Sequence, residues 1–313
     1  MRPPAPPAPP PPGAIVIAHP ERKAQRALHR IVGAARWPVR IVADLDALVA
    51  AVDASAIAVL DATLARTRPE ICARPARAWI AVPGDGGAPT EPDTVDALLE
   101  AGWAHIAAHP MPLLAEELLT TIFKLIHGDP FGLEKYLAWR APVHACTLAD
   151  ARDREPALAA LVADLTGMGL PERASSLARV IADELLTNAL YAAPVDGDGH
   201  RFRLREARDQ PRALTGREAV TVRWGTDARY LAIEVADGWG SLDEAAVGSR
   251  IVSGARAPGG DGGMGLTLVY ACCTQLVIGT APAARTELIA LLDLRYRPTE
   301  LGRSTSFHAF RGG

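Results

Sequence analysis

The sequence predicts an α/β chain in two parts, and three observations carry that expectation. From Ala14 to about residue 128, short apolar runs alternate with helical periods, the pattern of a parallel sheet covered on both faces. Past a segment containing Phe131, Tyr136 and Trp139, the pattern changes to two successive helices followed by paired strands. The length of 313 residues at 49% hydrophobic content is enough for two ordinary domains, each with its own core.

The opening residues 1–12, MRPPAPPAPPPP, lack the apolar core of a signal peptide and read as an extended, mobile tail. Residues 13–128 then give the strand AIVIAH, the helix ERKAQRALHRIVGAA, the strand VRIVAD and the helix LDALVAAVD. The strands AIAVLD and ARAWIAVPGD follow, then the helix TVDALLEAG, the strand AHIAAHP and the helix LLAEELLTTIFKLI. About five strands are therefore expected, and in such a doubly wound sheet the functional crevice lies beyond their carboxyl ends, where Asp61 follows AIAVL. A loop aspartate capping the next helix explains the same residue equally well.

Residues 129–143 are expected to be a linker, 144–300 the second domain and 301–313 a tail or extra strand. The second domain opens with the strand-like HACTL and two helices, EPALAALVADLTGMG and PERASSLARVIADELLTNALYAA, separated by a Gly-Leu-Pro break. On the second helix Arg179, Asp183 and Thr187 recur every four residues as a solvent stripe. Glu184 and Asn188 instead follow Leu177 and Ile181, so a carboxylate and an amide one turn apart face the same way as core residues. Burying such groups costs free energy unless something pairs with them. Mg²⁺ on the Asn188 carbonyl oxygen and a hydroxyl donating its proton to Glu184 would serve, as would bonds to neighbouring loop backbone.

VTVRWGTDARYLAIEVADGWGSL reads as two antiparallel strands ending in Asp237-Gly238-Trp239-Gly240. An acidic group at a strand end, followed by glycines that admit a flat ring, suits an exocyclic amine such as that of adenine; a tight turn with an Asx bond is the alternative. Farther on, GGDGGMGLTLVY places five glycines within residues 259–265 just before a helix expected from about Leu266. Gly262, Gly263 and Gly265 could offer backbone N–H groups to an anion at that helix end, although such a loop is equally a plain turn.

Composition excludes several classes. A net charge of −3 argues against a general nucleic-acid or anionic-membrane binder, which leaves proteins or small molecules as partners. No segment offers about 18 consecutive apolar residues, so no membrane association is expected. The cysteines Cys72, Cys146, Cys272 and Cys273 have no metal-ligand spacing and read as reduced thiols of a cytoplasmic protein. A Rossmann enzyme would need a glycine fingerprint after the first strand, and AIVIAHPERKA has none.

Residues 13–128 resemble the receiver domain of two-component signalling, with Asp61 at the phospho-acceptor place and His109-Pro110 where that family has lysine and proline. His19 and Pro20 replace the acidic pair that holds Mg²⁺ in receivers, and Pro83 stands where a hydroxyl is expected. The resemblance therefore implies a pseudo-receiver, an interaction or dimerisation platform. The second half resembles the GHKL ATPase superfamily, which includes histidine kinases and the anti-sigma-factor serine kinases. Three motifs carry it in order: E-L-L-T-N-A, D-G-W-G and G-G-M-G-L. The resemblance spans about residues 144–295 and implies a Bergerat-type α/β sandwich with a mixed sheet, binding ATP and Mg²⁺.

By position, the resemblance makes Asn188 the Mg²⁺ ligand, Glu184 the base or water-orienting group, and Asp237 the acceptor of the adenine amine. Gly238 and Gly240 would line the base pocket, Gly262, Gly263 and Gly265 would contact phosphate, and Thr286 would lie near the adenine. Four residues past Asn188 the family commonly has a basic residue, and here stands Ala192, so Arg201 or Arg203 would have to supply charge. His127 and His144 precede the domain without a heptad-bearing helix, which points away from histidine kinases. The expectation is a bacterial signalling protein that phosphorylates serine or threonine of a partner protein. The alternative is a non-catalytic, ATP-gated protein-binding module.

Overall fold

The computed structural model describes residues 13–84, 88–208, 210–256, 264–295 and 304–312. Among the described residues, ten strands and nine α-helices are easiest to follow half by half. The first half contains β1 (Ile15–Ala18), α1 (Arg22–Gly33), β2 (Val39–Val42), α2 (Leu45–Ala51), β3 (Ile57–Asp61), α3 (Ala62–Thr67), β4 (Ala78–Val82), α4 (Pro92–Glu100), β5 (His105–Ile106) and α5 (Leu113–His127). The second contains β6 (Val143–Leu148), α6 (Arg154–Gly167), α7 (Glu172–Thr187), β7 (Val220–Thr226), β8 (Tyr230–Asp237), α8 (Glu244–Arg256), α9 (Met264–Cys272), β9 (Gln275–Ala281) and β10 (Arg285–Asp293). An eleventh strand, β11 (Ser306–Arg311), joins the halves.

All the strands form one sheet, in the order β2-β1-β3-β4-β5-β11-β9-β10-β8-β7-β6. The five strands of the first half are mutually parallel and ordered 2-1-3-4-5. Strand β11 runs antiparallel to β5 and parallel to β9, and every further neighbour up to β6 is antiparallel. The sheet is thus mixed, with its parallel part at one end.

Local sequence explains these elements. Strands β3 and β4 are buried along their full length because IAVLD and AWIAV lie between two helical layers, whereas the edge strand β2 exposes Arg40. Asp44 caps α2 by accepting from the Ala47 N–H at 2.8 Å, and Pro92 sits in the first turn of α4. Helix α5 stops at Gly128, whose φ of 63° is the left-handed C-cap conformation that glycine adopts without a Cβ penalty.

Helices α1 and α5 cover one face of the first half through Leu28, Ile31, Leu118 and Ile122, which pack on Ile15, Ile17, Ile57 and Ile80. On the opposite face one continuous apolar layer runs from α2, α3 and α4 into α6, α7 and α9. The core is therefore shared by the two halves rather than split between them. The remaining face of the second half is covered by the linker, where Leu133 packs with Val277, Ile289 and Phe310. Gly132 and Leu133 donate their N–H groups to Glu287 and Glu234, two strand carboxylates buried to 1% and 0% exposure.

Strand β11 is the seam. The Ala108 N–H donates to Ser306 Oγ at 2.8 Å, and His308 Nε2 lies 2.7 Å from Glu117 Oε1 on α5. Burial alone would raise the Glu117 carboxyl, but His109 and His308 beside it hold it down at about 2. No helix among the described residues is long and apolar enough to cross a membrane, and all four cysteines are free thiols.

Candidate functional site

Described residues of the three sequence motifs of the second half, Glu184, Asp237 and Gly265, lie on one face of the sheet. Strand alternation sets the face: Val235 on β8 and Leu288 on β10 point into the helical layer, so Asp237 and Thr286 point the same way. The register places Thr286 directly opposite Asp237, and Thr280 of β9 opposite Thr286. One rung of the sheet therefore carries a carboxylate and two hydroxyls side by side under the helices.

Asp237 is 5% exposed. Its Oδ1 accepts from the Trp239 N–H at 2.8 Å, so the Asx bond expected of a tight turn is present. Burial pushes the carboxyl up to about 6, against the pull of the Trp239 and Gly240 N–H groups. The Thr286 hydroxyl lies beside the Asp237 carboxylate and its hydrogen bonding also pulls that carboxyl down, whereas the buried Thr280 hydroxyl has no hydrogen-bond partner among the described residues.

The glycines of D-G-W-G serve close backbone approach. A Cβ on Gly238 would stand 2.6 Å from the Arg217 carbonyl oxygen; on Gly240, which has φ of 58°, it would stand 2.1 Å from that of Ala281. Arg217 clamps the loop: its guanidinium donates to the Gly238 and Trp239 carbonyls and lies 4.6 Å from the centre of the Trp239 ring. No sequence signal singles out Arg217, because it precedes β7 in a short turn and its partners are main-chain atoms.

Glu184 lies half-buried in the penultimate turn of α7, and the helix changes from α to π winding at Asn188–Ala192. Such wide turns recur at functional sites because they redirect side chains within a helix. Here the turn lies against the D-G-W-G segment, with Ser241 Oγ donating to the Ala193 carbonyl at 2.6 Å. Gly265, in the first turn of α9, faces Glu184 so closely that a Cβ would come within 2.6 Å of its Oε2. Helix α9 begins at Met264, two residues before the expected start. Gly262 and Gly263 lie outside the described residues.

The stripe read as solvent-facing is partly spent on α6: Arg179 bonds Glu155 at 2.8 Å and Asp183 pairs with Arg154. Of the two arginines considered for phosphate, Arg203 is buried and paired with Glu218. Arg201 is partly buried, and burial together with the Arg250 charge lowers its pKa. A separate trio, Asp196, Asp198 and His200, brings its ligand atoms within 4.8 Å of one another on an exposed loop. The Asp196 carboxylate is already used there by the Asp198 and His200 N–H groups.

In the first half Asp61 ends β3 with 2% exposure. Its Oδ1 caps α3 by accepting from the Leu64 N–H at 2.7 Å, and its Oδ2 lies 3.7 Å from His19 Nε2. His19 Nδ1 accepts the Glu21 N–H at 3.1 Å, which leaves Nε2 to carry the proton toward Asp61 and the Pro83 carbonyl. No family model and no curated protein matches this chain.

Proposed function

We propose that the second half is a GHKL-type, Bergerat-fold ATP-binding domain and that the protein transfers phosphate from Mg·ATP to serine or threonine of a partner protein. One observation carries the reading: a desolvated carboxylate, Asp237, shares a sheet rung with the Thr286 hydroxyl beside it and an unpartnered Thr280 hydroxyl, on the same face as Glu184 and Gly265. Buried polar groups persist where something satisfies them. An adenine ring offers what this rung lacks, an amine donor for Asp237 and ring nitrogens able to accept from a hydroxyl.

ATP and Mg²⁺ would be held by this chain's own groups. Asn188 would present its carbonyl oxygen to the metal, which supplies charge neutralisation on the phosphates. Glu184 would take the proton of the attacking hydroxyl. With Arg203 committed to Glu218, the Arg201 and Arg250 pair would supply positive charge for phosphate, because an anion between them relieves their mutual repulsion.

The strand order 2-1-3-4-5 supports a receiver-like first half. His19 beside Asp61, in place of a carboxylate, favours a pseudo-receiver used as a protein-interaction or dimerisation platform. The second reading, an ATP-gated binding module without transfer, is favoured by Ala192 at the usual basic position.

The test is calorimetry of Mg·ATP on the full chain, followed by incubation with labelled ATP and candidate partner proteins. Wild type should bind, and Asp237→Ala should lose about tenfold or more in affinity, since a buried donor left unpaired costs roughly 1–3 kcal/mol. Equal affinity in the two proteins would refute the adenine assignment. Binding without transfer to any candidate would favour the module.

A further inference from the structure

On the sheet face opposite Glu184 and Asp237, a groove of about 580 Å³ opens between α5 and the starts of β8 and β9. The alternation of β9 fixes that face: Gln275 shares it with Val277, away from Leu276 and Ile278 in the helical layer. The volume is in the range that holds small ligands, and the apolar walls include Phe123, Tyr230 and Leu291.

Most charges around the groove are already committed. Asp227 accepts the N–H groups of Arg229, Tyr230 and Ala138; Lys135 is bound to Asp129; Glu117 is held by His308. Two donors are not. Gln275 is 5% exposed, and its Nε2 has no hydrogen-bond partner. Arg229 is ion-paired with Glu116 at 3.6 Å and Asp293 at 3.7 Å and lies 5.5 Å from the Tyr230 ring, yet its Nε has no hydrogen-bond partner; Arg295, the other arginine of the groove, donates its Nε to the Ala228 carbonyl. Both donors line a groove whose walls combine charged residues with Phe123, Tyr230 and Leu291, so the missing group is an acceptor attached to an apolar body.

The geometry points to a second ligand site here, which takes a small aromatic acid. The anionic group would lie against Arg229 and the Gln275 amide, and the ring against Phe123 and Tyr230. The site spans the seam between the halves, since Phe123 belongs to α5 and Gln275 to β9. It is independent of the ATP reading.

The test uses the full chain and the fluorescent probe 8-anilinonaphthalene-1-sulfonate, an aromatic anion, beside its uncharged counterpart N-phenyl-1-naphthylamine. The sulfonate should bind saturably at one site per chain, and the neutral probe at least about tenfold more weakly, as expected when a hydrogen bond to a charged group is lost. Arg229→Gln should weaken the sulfonate by a similar factor. So should Phe123→Ala, a change at a ring 40% exposed that leaves the core packing in place. Asp237→Asn and added Mg·ATP should leave probe binding unchanged, which separates this site from the proposed nucleotide pocket. Thermal melts establish that each variant is folded. Sulfonate affinity that is indifferent to both Arg229→Gln and Phe123→Ala in folded proteins, no saturable binding, or displacement by Mg·ATP would each overturn the proposal. Equal affinity for the neutral probe would overturn the assignment to an acid.

Discussion

Replacing Asp237 by Asn should make the protein more stable at neutral pH while weakening its hold on nucleotide. The carboxyl rises from 3.8 to about 6 because burial penalises its charged form. A shift of that size corresponds to about 3 kcal/mol between the two protonation states. The folded-state value lies above the unfolded one, so the neutral carboxyl contributes stability below pH 3.8, and that contribution is lost as pH rises through about 6. Asn carries no charge to desolvate. Its oxygen can still accept the Trp239 N–H, and its amine can face the Thr286 hydroxyl beside it. After its own desolvation, a gain of about 1–3 kcal/mol is expected at pH 8, shrinking toward zero near pH 4. Urea melts of both proteins at a series of pH values measure the difference. A variant less stable than wild type by the same amount at pH 8 and pH 5 would show that the carboxylate is not desolvated, and the argument for a ligand there would fail.

The other predictions address neighbouring parts of the molecule. Gly265→Ala should leave stability nearly unchanged, because the clashing atom is the mobile end of Glu184, yet should slow phosphate transfer about tenfold or more by displacing that carboxylate. If the protein is a kinase, Glu184→Ala should cost on the order of 10²-fold in rate with much of the ATP affinity kept, whereas Asn188→Ala should abolish Mg²⁺-dependent binding; a transfer rate indifferent to Glu184→Ala moves the base elsewhere. Gly240→Ala should destabilise by about 2 kcal/mol or more in urea melts, since it adds a side chain at φ of 58° against the Ala281 carbonyl. Asp61 should take no phosphate from acetyl phosphate with Mg²⁺; a stoichiometric aspartyl phosphate detected by mass spectrometry would refute the pseudo-receiver assignment. His308→Leu should cost about 3–5 kcal/mol by leaving Glu117 buried with a lost partner, and His308→Leu with Glu117→Leu should recover much of that loss.

What could be read in the sequence was what period and local chemistry control. IAVLD and AWIAV announced doubly buried strands because no polar residue interrupts them, and VTVRWGT with YLAIEVAD announced a hairpin through its polar turn. The Glu184 and Asn188 spacing placed both residues one helical turn apart, although the winding change at Asn188 carries no period of its own. The seam was not legible. SFHAFR could be any short strand, and its neighbours Ile106 and Leu276 are distant in the chain, so only closure of the whole sheet brings them together. Glu234 and Glu287 were equally hidden. Strand alternation reports which side a residue faces but not what covers that side, and here the covering layer is a linker that donates backbone N–H groups to both carboxylates. Arg179 and Asp183 illustrate the same limit on a helix: the stripe was legible as polar, and its pairing with α6 was not.

Two aspartates end parallel-looking stretches of sequence, A-V-L-D and E-V-A-D, and the structure gives them opposite surroundings. Asp61 caps a helix with one oxygen, while the other lies 3.7 Å from the His19 ring, beyond hydrogen-bond distance, and has no hydrogen-bond partner among the described residues. A Cβ on Gly84 would stand 2.3 Å from Asp61 Oδ2, which leaves little room for a phosphoryl group. Asp237 has backbone donors on its loop side and the Thr286 hydroxyl across the sheet, with the unpartnered Thr280 hydroxyl one strand further, and its carboxyl is pushed up by burial. The free Asp61 oxygen is crowded by His19 and Gly84, whereas the cost of burying Asp237, and of the lone Thr280 hydroxyl on the same rung, is one that an external donor and acceptor can relieve. Ligand chemistry is therefore better supported at the end of β8 than at the end of β3. That contrast is why Asp237→Asn should change both stability and binding, and why a change at Asp61 should register through the fold alone.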